Sequence, residues 1–124
     1  MSTANFARVT WSEAEFTAWF TKILVADGAI VVPIIGTMMQ SNWPDRLVYH
    51  RDWHGLCELK KATGKLSPAQ RVNLSKLWDR RPGCAVVLRC GDVTCSCEKH
   101  DGELLFKFHD VDSLIDGLRA LVKE

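Results

Sequence analysis

The chain has no apolar stretch approaching the roughly 20 residues that a bilayer span requires. Its N-terminus, MSTANFARVTWSEAEF, lacks the charged-then-apolar order of a secretion signal. A cytoplasmic protein with no membrane partner is therefore expected. An excess of one charge is missing too: 16 Lys and Arg stand against 15 Asp and Glu, which gives no overall pull toward polyanions. The cysteines, Cys57, Cys84, Cys90, Cys95 and Cys97, are odd in number and embedded in apolar runs. A disulfide framework is thereby disfavoured and reduced thiols are expected. No internal repeat and no low-complexity linker interrupts the 124 residues, a length that suits one compact core and is too short for two ordinary domains. A single domain over 1–124 is expected.

What is present is a clear alternation of periodicities. Phe16, Trp19, Phe20, Ile23 and Leu24 recur at helical spacing, which predicts a helix from about Ser12 to Ala26, with Ser12 and Glu15 as a capping box and Asp27-Gly28 as its stop. AIVVPIIG predicts an edge or bulged strand, because Pro33 removes a ladder donor. TMMQSNW predicts a mobile loop. RLVYH and GLCELKK predict two strands joined through RDWHG. Ser67-Pro68-Ala69-Gln70 supplies an N-cap, a first-turn proline and a capping-box glutamine, so a second helix should run to about Arg80, where Pro82-Gly83 breaks it. CAVVLRC predicts a strand buried on both faces. VTCSCEKHDGELLFKFHD predicts a hairpin turning near Asp101-Gly102, before a last amphipathic helix carrying Leu114, Ile115, Leu118, Leu121 and Val122. The result is an α/β chain, a mixed sheet flanked by helices, in the order α-β-β-β-α-β with a C-terminal hairpin and helix added. The helix between the third and fourth strands permits a parallel crossover.

Three charged residues sit where a sheet should bury apolar ones. Glu58 and Lys60, two apart on one strand, leave the same face, while Cys57 and Leu59 point into apolar packing. Charges in such a place need each other, a metal or water. Asp45, at the start of the preceding strand, comes alongside Glu58 if the two strands pair. Two carboxylates so close raise a pKa unless a cation lies between them, and oxygen ligands of this kind suit Mg²⁺ or Mn²⁺. Gln70 shares a helix face with Leu74, Leu77 and Trp78, so its amide must find a partner on the sheet, close the capping box with Ser67, or do both.

Other signals are weaker. Between Glu58 and Arg81 the bases Lys60, Lys61, Lys65, Arg71, Lys76, Arg80 and Arg81 meet only two acids, which is either a phosphate-facing patch or a solvated face. Cys90, Cys95, Cys97 and His100 are close in sequence, but their spacing is not that of paired CxxC knuckles and alternate strand cysteines commonly face one core. Trp19 and Trp78 fall on core faces. Trp43 and Trp53 flank the hairpin, where a tryptophan either stacks on an unpaired base or packs on its own loop. His50 and His54 fit a general base less well than Lys60 does. Val72, outward on the second helix, is a lone exposed residue or part of a dimer contact.

P-D-R-L-V (44–48), E-L-K (58–60) and G-K-L-S-P-A-Q (64–70) together resemble the PD-(D/E)XK nuclease superfamily, most closely its virus-type replication-repair (VRR-NUC) branch with its small stand-alone phage members. The resemblance covers about Glu13 to Arg89. It implies a restriction-endonuclease-like core over about 12–90, a hairpin and helix over about 91–124, and a Mg²⁺- or Mn²⁺-dependent endonuclease that hydrolyses phosphodiester bonds. Asp45 and Glu58 would ligate the metal, with the Leu59 carbonyl as a third ligand. Lys60 would position or deprotonate water and Gln70 would orient it. Glu13 would be the added first-helix glutamate, unless it is simply a first-turn acid favoured by the helix dipole. Arg46, Lys61, Lys65 and Arg71 would meet nucleic acid. By the same likeness the substrate would be branched or structured DNA, in the manner of a Holliday-junction resolvase, and the enzyme a homodimer in a host or bacterial cytoplasm. Two departures stand out: residues between Asp27 and Ser41 do not reproduce the usual polar motif ahead of the Asp, and a Cys-rich hairpin follows the core. The rival expectation is a catalytically inactive nucleic-acid- or protein-binding module of the same fold.

Overall fold

A computed structural model describes residues 7–34 and 42–122. The first helix, α1 (Glu13–Ala26), begins at Ser12, whose hydroxyl accepts the Glu15 N–H at 3.1 Å while the Glu15 carboxylate accepts the Ser12 N–H at 2.9 Å. This is the reciprocal cap that the sequence predicts. Phe16, Trp19, Phe20 and Leu24 make its buried face.

A six-stranded mixed sheet follows, formed by β1 (Ile30–Pro33), β2 (Arg46–His50), β3 (Trp53–Lys60), β4 (Ala85–Arg89), β5 (Cys95–Glu98) and β6 (Leu104–Phe108), side by side in sequence order. All neighbours are antiparallel except β3 and β4, which run parallel because α2 (Pro68–Arg80) carries the chain back between them. The Ile34 N–H donates to the Asp45 carbonyl. In the β1–β2 ladder, alternation then turns the Pro33 nitrogen to the open edge, where a missing N–H costs no ladder bond. The last helix is α3 (Val111–Val122). The α/β order is therefore the expected one, and the added hairpin extends the same sheet beyond β4 rather than standing apart from it.

Two boundaries differ from expectation. The β2–β3 turn is only Arg51 and Asp52, since His50 already pairs with Trp53; Trp53 and His54, expected in the connection, belong to β3. Lys61 lies past the strand end. The predicted loop TMMQSNW falls outside the described residues except for Asn42 and Trp43.

Helices α1 and α3 cover one face of the sheet and α2 covers part of the other. The first face holds the large core, in which Phe16, Phe20, Leu24, Leu59, Leu88 and Phe108 are sealed from solvent. Beneath α2 lies a much smaller cluster of Leu74, Ala85 and Val87, flanked by Leu66 and Leu77. No helix among the described residues is long and apolar enough to cross a membrane.

Candidate active site

The site grows from the alternation of β3. Cys57 and Leu59 are each fully buried in the α1/α3 core, which forces Glu58 and Lys60 onto the α2 side. Glu58 is nevertheless only 3 % exposed. A buried carboxylate needs partners, and it has two on a single oxygen. The Lys60 ammonium lies 3.6 Å from Glu58 Oε2, and the Gln70 side-chain amide donates to that same oxygen at 3.3 Å.

Gln70 is held by the start of α2. Its Oε1 accepts the Ser67 N–H at 2.9 Å, and the Ser67 hydroxyl accepts the Gln70 N–H at 3.1 Å. The carbonyl end of the amide thus closes the capping box while its nitrogen reaches Glu58. Both readings left open by the sequence hold together.

Asp45 arrives from the other side. Arg46 is opposite Cys57 in the ladder, so the residue before it lies beside Glu58. Among the described residues, Asp45 Oδ1 is buried with no hydrogen-bond partner. Burial raises the Asp45 carboxyl to about 6, against the charge of Arg46 and the Leu59 N–H, which lower it, with Glu13 adding to the rise. Burial likewise raises Glu58 to about 7; the neighbouring Asp45 charge adds to this, Lys60 opposes it, and Glu13 raises it further. The Asp45 charge therefore disfavours ionisation of Glu58, and a cation between the two carboxylates would reverse that effect.

Leu59 faces this gap through its backbone. The Leu56 N–H donates to Cys84 and the Lys60 carbonyl accepts from Cys90, so the even residues of β3 bond toward β4 and Leu59 bonds toward β2. There the ladder stops at Arg46, and Pro44, next in register, has no N–H to give the Leu59 carbonyl.

Glu13 is exposed in the first turn of α1 and shares with Asp45, Arg46 and Lys22 the wall of an open cleft of about 800 Å³. It is close enough to influence both acids, yet among the described residues no three His, Cys, Asp or Glu side chains are grouped at metal-ligand spacing. The donor set of Asp45, Glu58 and the Leu59 carbonyl still suits a hard cation such as Mg²⁺, which takes one or two carboxylates and keeps several waters. The unpartnered Asp45 oxygen is the observation that fits.

Of the basic residues, Arg46 flanks the acids and donates to the Asp45 carbonyl at 2.8 Å. Lys61, Lys65 and Arg71 are exposed around the loop into α2. One residue escaped sequence reasoning. Arg89 lies beside Lys60 in the parallel register and donates to the Lys61 and Gly64 carbonyls and to Glu98, which anchors the loop that follows the site. An arginine ending the apolar run CAVVLRC was the available signal.

Several side chains sit apart from the centre. Trp53 is buried in the α1/α3 core and its indole N–H donates to the Gly83 carbonyl at 3.0 Å, so it is unavailable for base stacking. His50 is buried too, with Nε2 2.8 Å from Asp27 and Nδ1 accepting the Asp52 N–H. It clips the end of α1 to the β2–β3 turn. His54 stacks on Tyr49. Cys90, Cys95 and Cys97 are buried in the main core, whereas His100 packs edge-on to Trp78. Val72 is exposed. No protein-family model, no curated protein and no solved structure matches this chain.

Proposed function

We propose that this chain is a PD-(D/E)XK-type nuclease that hydrolyses phosphodiester bonds in DNA with Mg²⁺ or Mn²⁺. The observation that carries the reading is the meeting of Asp45, Glu58 and Lys60 beside a buried carboxylate oxygen that has no partner among the described residues. Asp45 and Glu58 would hold the metal, with the Leu59 carbonyl beside them and Glu13 at the border. Bound there, the ion supplies the positive charge that makes water more acidic and offsets charge building on phosphate. Lys60, kept next to Glu58, directs an ammonium at the same point and stabilises the phosphate oxygens as their charge develops. Gln70 fixes the Glu58 oxygen that Lys60 uses. Arg46, Lys61, Lys65 and Arg71 offset the charge of the substrate strand. Branched or structured DNA is the substrate we favour, cut by a homodimer whose two-fold places one site at each of two strands.

A second reading has its own support, since no three-residue ligand group is preformed among the described residues: the fold would then serve as a nucleic-acid-binding module. One experiment separates them. Plasmid, single-stranded and four-way-junction DNA are incubated with the protein in Mg²⁺, Mn²⁺ or EDTA, beside Lys60→Ala. Cutting should vanish in EDTA and fall by about 10²–10⁴-fold in the variant. Cutting that persists in EDTA, or is equal in Lys60→Ala, rejects the nuclease; salt-sensitive gel shifts without cutting favour the module.

A further inference from the structure

The hairpin beyond the core has a place in this reading. Its turn reaches back to α2 and closes a second cavity, of about 200 Å³, walled by Gly64, Lys65, Arg71, Arg89, Lys99 and His100. Four of these six residues, Lys65, Arg71, Arg89 and Lys99, are lysine or arginine. The two acids at the cavity are already engaged: Glu98 accepts from Arg89 at 3.0 and 3.3 Å, and Asp101 accepts the Glu103 N–H within its own turn at 3.0 Å. A positive excess thus remains in a concave place.

The wall is held in position. The Gly102 N–H donates to the Lys99 carbonyl, the Lys99 N–H to Glu103, and Gly102 takes the left-handed φ of 92° that favours glycine. Trp78 of α2 then receives both side chains of that turn, with Lys99 Nζ 5.3 Å from its ring centre and the His100 ring at 6.5 Å. The cavity also adjoins the candidate centre. An added Cβ on Gly64 would stand 3.3 Å from Lys60 Cδ, so the glycine that lines the cavity lies against the stem of the proposed active-site lysine.

The geometry points to a phosphate subsite: this cavity binds a backbone phosphate of the same nucleic-acid strand, next to the one cut between Asp45, Glu58 and Lys60. The inference rests on the nuclease reading for its substrate. Its own content is that Lys99 and His100, from the added hairpin, grip the strand together with Lys65 and Arg71. A strand seated here passes over the start of α2 on its way to Lys60.

The test is equilibrium binding of fluorescein-labelled single-stranded and four-way-junction DNA in EDTA, from 0.05 to 0.3 M salt, by wild type, Lys99→Ala, Lys65→Glu and Lys99→Arg. Folding of each is checked by circular dichroism. Losing one phosphate contact should weaken binding by about eightfold near 0.1 M salt and flatten the salt slope by about 0.7–0.9; Lys99→Arg should restore most of it. Unchanged affinity and slope in Lys99→Ala and Lys65→Glu, beside a wild type that cuts DNA, overturns the subsite and leaves the nuclease standing. Weakened binding in these variants beside a wild type that never cuts keeps the subsite and removes the nuclease. Calorimetry with inorganic phosphate completes the set, and tight phosphate binding with DNA affinity untouched by the variants overturns a nucleic-acid ligand.

Discussion

Along β3, Cys57 and Glu58 are neighbours with nearly equal burial, yet they face opposite environments. Cys57 looks into the large apolar core under α1 and α3, where dispersion and water exclusion dominate. Glu58 looks toward α2, where the apolar cluster is small and its own partners are an ammonium and an amide. One face of the sheet gains stability by hiding groups that water dislikes. The other hides groups that water would hold well, at a cost in stability. Stability and chemistry are therefore separated by the two-residue repeat of a strand.

The two faces should respond unequally to substitution and to pH. Largest is the apolar face: Phe108→Ala, at a fully buried position, should cost about 3–5 kcal/mol in urea unfolding, and a loss below about 1 kcal/mol would remove the distinction between the faces. Next is the pH response of the metal-free protein. Asp45 and Glu58 keep their protons to about 6 and about 7, above the ordinary 3.8 and 4.5. Between those limits the folded chain holds protons that the unfolded chain has released, so stability is full below about pH 4 and declines as pH rises toward 7. The decline should be on the order of 2–4 kcal/mol, since each tenfold change in acidity weighs about 1.4 kcal/mol and the two acids titrate together. Glu58→Gln should flatten it and Mg²⁺ should offset it; denaturation midpoints in EDTA that do not move with pH would contradict the assignment.

Smaller still is the link between the faces. Gln70→Ala removes one half of a cap and one partner of Glu58, for about 0.5–2 kcal/mol, and its cutting rate should fall more than its stability does. Equal stability with unchanged cutting would leave Gln70 no role in either. Val72→Ser, on the outward side of α2, should shift thermal unfolding by no more than about 0.5 kcal/mol. A larger loss that depends on protein concentration would reveal a partner on that helix face.

The element order and the meeting of Asp45, Glu58, Lys60 and Gln70 were legible in the sequence because each depends on short-range rules. Strand alternation placed Glu58 with Lys60, a proline and a serine dated the start of α2, and one hairpin register brought Asp45 across. What escaped depends on distance along the chain. Arg89 matters only because a parallel crossover sets it beside Lys60. Lys99 comes to lie over α2 through Trp78, 21 positions earlier. Trp53 read as a loop residue because the turn was expected to be longer than Arg51-Asp52. The pairing of His50 with Asp27, 23 positions earlier at the end of α1, had no local signal.

The parallel joint between β3 and β4 also orders events in time. β1 to β3 and β4 to β6 are antiparallel ladders between consecutive strands, whereas β3 and β4 meet only after the chain has threaded through α2. Contacts that close such a detour form late. Lys60 and the loop pinned by Arg89 sit on that seam, so both should take their final places only when β3 and β4 join.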